Sequence, residues 1–461
     1  MNFFDLKRPV SLNLSFQEQR EKWMPQFLKA FYVVFIAYFA SYIIRNNMDS
    51  AMVAMKLKLG LSKEKVGHVL FFNTLAYGLG KTALGFLVDR RNSKKIMNFL
   101  IMLGGFCNIG VSILFFSGLE MKALLGGIGF IWAINGLVLS PGGPCAYSTI
   151  MRWMPKSKQA TWLGRWNVSH NIGGAFAAGI AAWFADNFFG GNVGGFFLIP
   201  GLFGVAVGIW GMFYGKDDPM ELGWDDAATV WEELDDEEKR KEEEKKEVPK
   251  SKILFDYVLK NPWVWLLALA NVFVYMVRMG VSTWVTYYAK VVLGHELKRA
   301  TILKIAFEMS ALVGSLFLGW FSDKVKGRRM LVSGIIMLLT SAGVWYYSKA
   351  EEIHELIIAM VICGFFIFGP QLLIGVSVVK FVPKKAVAVA NGVTGTAGYL
   401  IGDSLIKEKL PKWIGGNETR EVWNKMFVIM YVCIIIGAIV MFIIAVEEER
   451  RIRKDQAFAK K

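Results

Sequence analysis

Twelve stretches of roughly 20 mostly apolar residues recur along this 461-residue chain, and a run of that length is what a helix needs to cross a bilayer. They fall at 28–50, 66–88, 96–117, 123–148, 162–185, 194–214, 263–288, 302–322, 329–348, 354–379, 387–407 and 424–446. None alternates with period two, as a lipid-facing barrel strand must. Hydrophobic residues make up 54% of the chain and charged ones only 20%, which excludes an ordinary soluble enzyme and a disordered protein. The four cysteines sit singly inside apolar runs, without metal-ligand spacing. No short apolar core followed by a small-residue cleavage site opens the chain, so no removable signal peptide is expected. The expectation is an all-α membrane protein of twelve transmembrane helices.

The formal charge of +15 is unevenly placed. Residues 216–250 hold 15 of the 38 acids but 7 of the 53 bases, so the remaining 46 bases face only 23 acids. Because those bases flank apolar segments, lipid head groups or an anionic solute suit them better than nucleic acid. The charged stretch divides the chain into residues 1–214, a solvated linker at 215–252, and residues 253–461. An even number of spans puts both termini on one side. The clusters DRRNSKK (89–95), DKVKGRR (323–329), PKK (383–385) and EERRIRK (448–454) share that side, which the positive-inside rule makes cytoplasmic. Lys56, Lys58, Lys63 and Lys65 fall on the other side, against the rule.

The two halves repeat. A Gly-x-x-x-Asp followed by bases closes the second segment at Gly85–Asp89 and again closes the eighth at Gly319–Asp323. Internal repeats with a site between them are how many transporters are built. Arg45 in the first segment and Arg278 in the seventh keep almost the same offset as the two Asp motifs, so they occupy equivalent places. A guanidinium in mid-membrane costs from about 3 to above 10 kcal/mol, so such residues are usually functional. Two arginines converging on one cavity repel unless an anion lies between them, and Arg suits bidentate phosphate binding. The bland alternative is that each arginine snorkels or pairs with an acid.

Other polar residues share these helices. Lys81 follows on the second segment, where snorkelling is the alternative. His170 lies among glycines and alanines on the fifth and is either a hydrogen-bonded core residue or a phosphate donor. Asp403 and Lys407, four apart on the eleventh, pair along one face, as a substrate contact or as a structural bridge. Glu308 is a further acid within a span, able to pair with a base or to carry a proton. Tyr38, Tyr42 and Arg45 share one helix face, as do Tyr275 and Arg278; Tyr77 and Tyr399 lie on charge-bearing helices too. No phosphate-cradling loop, nucleophilic triad or metal motif stands out, so neither catalysis nor ATP coupling is indicated, and no cofactor is expected.

The stretches YGLGKT (77–82), WNVSHNIGGA (166–175), YVLKN (257–261), YMVR (275–278), FGPQLLIGV (368–376), FVPKKA (381–386) and YLIGDSLIK (399–407) resemble the organophosphate:phosphate antiporter family of the major facilitator superfamily, over the whole chain. The resemblance implies two six-helix bundles and exchange of external hexose 6-phosphate, glucose 6-phosphate foremost, for internal inorganic phosphate. It implies that Arg45 and Arg278 bind phosphate and that His170 and Lys81 are substrate-pathway cations. Asn167 would stand near the site, and Tyr38, Tyr42, Tyr77, Tyr275 and Tyr399 would line the cavity. The Asp403/Lys407 pair goes with hexose phosphate preference. Asn46 departs from the Lys common there in the family, which removes one cation. A monomer in a bacterial inner membrane, with both termini cytoplasmic, is the expected setting. A sugar-phosphate sensor with little transport, a glycerol-3-phosphate-type antiporter, a proton symporter and, lowest of all, a membrane enzyme remain as other readings.

Overall fold

The computed structural model describes residues 3–6, 9, 12, 14–84, 91–231, 253–324, 328–383 and 386–459. Twelve helical rods run through them: α1 (Phe16–Leu59), α2 (Lys63–Ala83), α3 (Ser93–Phe116), α4 (Met121–Trp153), α5 (Lys156–Phe189), α6 (Gly195–Phe213), α7 (Pro262–Val292), α8 (Leu297–Lys324), α9 (Arg329–Lys349), α10 (Ile353–Lys380), α11 (387–414) and α12 (Arg420–Ala459). Among the described residues the one trace of β-structure is an isolated bridge between Asp5 and Arg91. Ten rods are long and apolar enough to cross a membrane. The two others, α2 and α11, are more polar or broken than their sequence suggested. α2 carries Lys63, His68, Asn73, Thr74 and Lys81; α11 is split into short pieces by a π-helical stretch at Gly398–Asp403 and carries Asp403, Lys407 and Glu408. Both pack against each other between the halves, so their polar faces meet protein rather than lipid.

Local chemistry sets the helix ends. Ser15 and Glu18 form a reciprocal capping box at the start of α1, and Ser62, Asn92 and Asn261 cap α2, α3 and α7. α1 runs nine residues past its expected end at 50, to Leu59, and stops at Gly60 with φ 64°, a left-handed conformation that favours glycine. Its helical turns break at Asn47, whose buried amide donates to Asn108 Oδ1 at 2.7 Å and to the Phe196 carbonyl at 3.0 Å. α8 and α10 cross closely: a Cβ on Gly314 would lie 2.0 Å from the Phe365 carbonyl oxygen, and one on Gly364 2.2 Å from that of Phe307. Phe130, Phe213 and Leu316 point outward, 70%, 73% and 65% exposed, an arrangement that only lipid makes cheap.

The acidic segment after α6 is not a solvated linker throughout. Residues 215–231 fold onto the foot of the first six helices, and 232–252 lie outside the described residues. The buried Asp217 accepts from the Ser93 and Lys94 amides at 2.8 and 3.0 Å and from Thr149 Oγ1 at 2.5 Å, and it pairs with Arg152. The carboxylate thus holds the positive N-terminus of α3. Lys94 Nζ reaches the C-terminal carbonyls of α6 at Gly211 and Tyr214, both at 2.8 Å. Trp224 stacks on Trp23, with ring centroids 5.8 Å apart. Burial, and then the Asp217 carboxylate, push the Glu221 carboxyl above its ordinary range. Asp217→Ala orphans the buried Ser93 and Lys94 amides and leaves Arg152 to the more distant Asp218, at 4.0 Å, and the Arg91 carbonyl, at a cost of about 3–5 kcal/mol. A tryptophan-fluorescence melt in detergent should show the midpoint fall by about 3–5 °C; an unmoved midpoint would make the segment an ornament. Of the two repeated Asp motifs, 85–90 and 325–327 lie outside the described residues, as do Lys384 and Lys385.

Candidate functional site

Seven of the twelve candidate residues line one cavity of about 60 Å³ between the halves: Tyr42, Arg45 and Tyr77 from the first, and Arg278, Tyr399, Asp403 and Lys407 from the second. The two arginines enter from equivalent helices. Arg45 lies where α1 loosens ahead of Asn47, its guanidinium 4.6 Å from the ring centroids of both Tyr42 and Tyr77. Arg278 is 7% exposed on α7 and lies 3.9 Å over the Phe368 ring. Its Nη1 donates to Gln371 Oε1 at 2.7 Å, and Gln371 Nε2 donates to the Tyr275 hydroxyl at 3.3 Å. Aromatic faces thus hold both cations without neutralising them. Among the described residues neither arginine forms an ion pair with a carboxylate, whereas the cavity's two lysines both do.

Asp403 and Lys407 are joined at 2.9 Å. The π-helical turn that ends at Asp403 inserts an extra residue into α11, and such bulges are frequent at functional sites. The pair does not stand alone. Thr74 of α2 donates to Asp403 Oδ2 at 3.2 Å, and Lys407 Nζ donates to Thr74 Oγ1 at 2.7 Å, so a hydroxyl of the opposite half closes a three-membered network. The second ion pair joins Lys304 Nζ on α8 to Asp49 Oδ2 on α1 at 3.0 Å, and Lys304 also donates to Ser282 Oγ at 2.5 Å and its carbonyl at 3.0 Å.

The other five candidates stand beside the cavity rather than in its wall. Tyr38 packs between Tyr42 and Trp166, with centroids at 5.4 and 4.5 Å. His170 lies 5.4 Å from the Tyr42 ring, with Nδ1 on the Asn167 carbonyl. Asn167 is exposed. Lys81 is half-buried, 5.4 Å from the Tyr399 ring centroid. Tyr275 is buried behind Tyr399, 4.9 Å ring to ring.

Sequence reasoning missed Asp49, Thr74, Lys304 and Gln371. Asp49 and Lys304 lie near the ends of their expected segments, 28–50 and 302–322, where an ionised side chain can reach water. In the structure α1 continues past Asp49 to Leu59, and Asp49 is buried. Asp49 also stands four residues after Arg45, where an intrahelical pair was available, yet it serves Lys304 instead. Of the lysines on the side away from the termini, Lys56 and Lys63 approach Glu418 at 3.5 and 3.3 Å, and Lys58 donates to the Gly190 carbonyl at 2.9 Å.

The two ends of the seam between the halves differ. On the side away from the termini, His68 of α2 contacts Glu408 of α11 at 2.8 Å, Lys63 donates to the Asn417 carbonyl at 3.2 Å, and a Cβ on Gly67 would lie 2.2 Å from the Lys407 carbonyl. On the terminus side Arg165 and Asn167 are exposed on α5.

Comparison with known proteins agrees with this architecture. Residues 34–405 match the Major Facilitator Superfamily. The chain is 39% identical to the hexose-6-phosphate:phosphate antiporter of Escherichia coli K12, over 98% of each chain. It is 30% identical to the glycerol-3-phosphate transporter of Haemophilus influenzae, over 90% of each. Among solved structures, it resembles an inward-facing bacterial homologue of the human lysosomal transporter Spinster (TM-score 0.68, 16% identity, 94% and 98% covered) and a nucleoside transporter (TM-score 0.66, 12% identity, 90% and 99% covered), likenesses of fold alone. These relatives are transporters and not enzymes. The chain is a multi-pass membrane protein that belongs to the major facilitator superfamily, and within it to the organophosphate:phosphate antiporters.

Proposed function

We propose that the protein exchanges external hexose 6-phosphate, glucose 6-phosphate foremost, for internal inorganic phosphate across a bacterial inner membrane, with both termini in the cytoplasm. The observation that carries this reading is the pair of arginines, half-buried Arg45 and buried Arg278, one from each half, facing one cavity without a carboxylate partner among the described residues. A phosphate is the anion whose oxygens match two planar forks at once. The 39% identity to a hexose-6-phosphate:phosphate antiporter supports the substrate class.

The two halves, residues 1–214 and 253–461, rock about the cavity, joined by the charged segment 215–252. Empty, the site holds two like charges whose repulsion and desolvation oppose occlusion. A bound phosphate removes that penalty, so the halves change over only when loaded, and exchange is favoured over leakage. The phosphate group, common to both substrates, supplies most of the affinity. Tyr42, Tyr77 and Tyr399, with the Asp403–Lys407–Thr74 network, meet the sugar. His170, Asn167, Lys81 and Tyr38 line the approach from the terminus side. The far-side contacts between the halves support a structure closed on that side, and the protein acts as a monomer.

Proteoliposomes loaded with phosphate and given labelled glucose 6-phosphate test this. Uptake should require internal phosphate and should be competed weakly by glycerol 3-phosphate. Binding without uptake would instead support a sensor, and uptake driven by a pH gradient without internal phosphate would support symport.

A further inference from the structure

We propose that Glu308 is a proton-binding site coupled to the charge of the anion in the cavity, so that a doubly charged phosphate is carried together with one proton. The inference rests on the exchange reading above and adds the charge state in which the substrate moves.

The charges lining the one cavity nearly cancel. Of the ionised groups lining the cavity, Asp49 and Lys304 neutralise each other at 3.0 Å, as do Asp403 and Lys407 at 2.9 Å. What remains is Arg45 and Arg278 against the single carboxylate of Glu308. An ionised Glu308 leaves one positive charge in excess, which suits a singly charged phosphate. A protonated Glu308 leaves two, which suits a doubly charged one. A sugar phosphate near neutral pH is mostly doubly charged, since its second proton leaves near pH 6. Occluding an unbalanced charge in a low-dielectric site is expensive, so the mismatch falls on whichever group can take up a proton.

Glu308 is placed to be that group. It is 4% exposed, yet it lines the cavity. Among the described residues no base or hydrogen-bond donor engages its carboxylate. The nearest candidate, Lys304, one helical turn earlier, is committed to Asp49 and Ser282. From α5, Asn171 donates to the Glu308 backbone carbonyl at 3.4 Å, and the carboxyl carbon lies 3.4 Å from where a Cβ on Gly174 would stand. Glu308 therefore sits on the seam that moves when the halves rock, where its aqueous exposure must change. The other groups facing this region are Tyr42, Arg45, Asn46 and Asp49 on α1, Asn171 on α5, and Arg278 and Ser282 on α7; α10, packed behind, presents Gly364 and Phe368. Asn46, within 3.5 Å of the same Gly174 position, is neutral, so no third cation stands there to hold the carboxylate ionised. The step involves one O–H bond. A proton from water at the open mouth binds a Glu308 carboxylate oxygen as the dianion enters, and it returns to water on the other side when the dianion leaves.

Calorimetric titration of the purified full-length protein with glucose 6-phosphate tests this, in two buffers of different ionisation heat at about pH 8, where the phosphate ester is fully ionised. Wild type should take up about one proton per substrate bound, and Glu308→Gln less than about 0.2. No uptake by wild type overturns the proposal, as does uptake that persists in Glu308→Gln. Should Glu308→Gln fail to bind, Glu308→Asp decides: the pH midpoint of its proton uptake should move by about half a unit or more, and an unchanged midpoint overturns the proposal. Absence of binding by wild type, to glucose 6-phosphate and to phosphate alike, removes the exchange reading itself. Binding without proton uptake removes only this one.

Discussion

Arg278→Lys should lower the phosphate exchange rate by about 100-fold in protein that is expressed and folded normally. The guanidinium spends one arm on Gln371, at 2.7 Å, and its carbon lies 3.9 Å from the Phe368 ring centroid. Its remaining Nη donors can face the cavity in a fixed fork. A lysine ammonium keeps the charge but not the plane. It loses the stacking on Phe368, and satisfying Gln371 draws its single donor centre away from the anion. Losing one or two charge-assisted hydrogen bonds at about 1.5–3 kcal/mol each accounts for about one to four orders of magnitude. Arg45→Lys should behave alike, since Tyr42 and Tyr77 hold its guanidinium by their faces. Initial rates of labelled phosphate exchange in proteoliposomes, with phosphate affinity measured separately, check the expectation. A variant within about threefold of wild type would show that charge alone suffices and would sink the two-fork clamp.

The parts of this site that were legible in the sequence are those set by local spacing or by the repeat. Arg45 and Arg278 could be matched because the halves are copies, and Asp403 and Lys407 because i, i+4 residues share a helix face. The structure brings all four into one cavity. Their partners across the seam were not legible. Nothing near Thr74 in sequence points to a pair more than 300 residues away, yet its hydroxyl contacts both members. Asp49 and Lys304 were hidden for a different reason. Apolar runs mark where a helix can sit in lipid, whereas α1 continues past Asn47 with Met48–Met55 buried in protein, where a polar side chain such as Asp49 is tolerated. The linker misled for the same reason in reverse. Its acids look solvated in a charged run, but Asp217 holds the start of α3 and Asp225 accepts from Gln19 at 2.8 Å. Composition reports average solvation, and single carboxylates at helix ends escape it.

Lys304→Met should reduce exchange by about 100-fold, and Asp49→Asn added to it should recover most of the loss. Removing the lysine leaves Asp49, 8% exposed, without its base, and breaking one partner of a buried pair costs about 3–5 kcal/mol. That cost falls on the conformer in which α1 and α8 are in contact, the one closed on the side away from the termini. Two conformers of a carrier differ by only a few kcal/mol, so the population should move toward opening there. Spin labels placed on the exposed far-side residues Lys65→Cys and Gly416→Cys should then read a longer distance in Lys304→Met than in wild type. The single substitution also removes one positive charge from the cavity wall, which weakens anion binding. The double substitution Asp49→Asn with Lys304→Met restores both balances at once: no carboxylate is stranded, and Arg45 and Arg278 again face Glu308 alone. Exchange should return to within about tenfold of wild type, and the label distance should shorten, because replacing a whole buried pair is far cheaper than breaking it. If the double variant is as slow as the single one while the labels report a closed far side, Lys304 must act on the anion itself. The pair would then belong to the binding site and not to the latch between the halves.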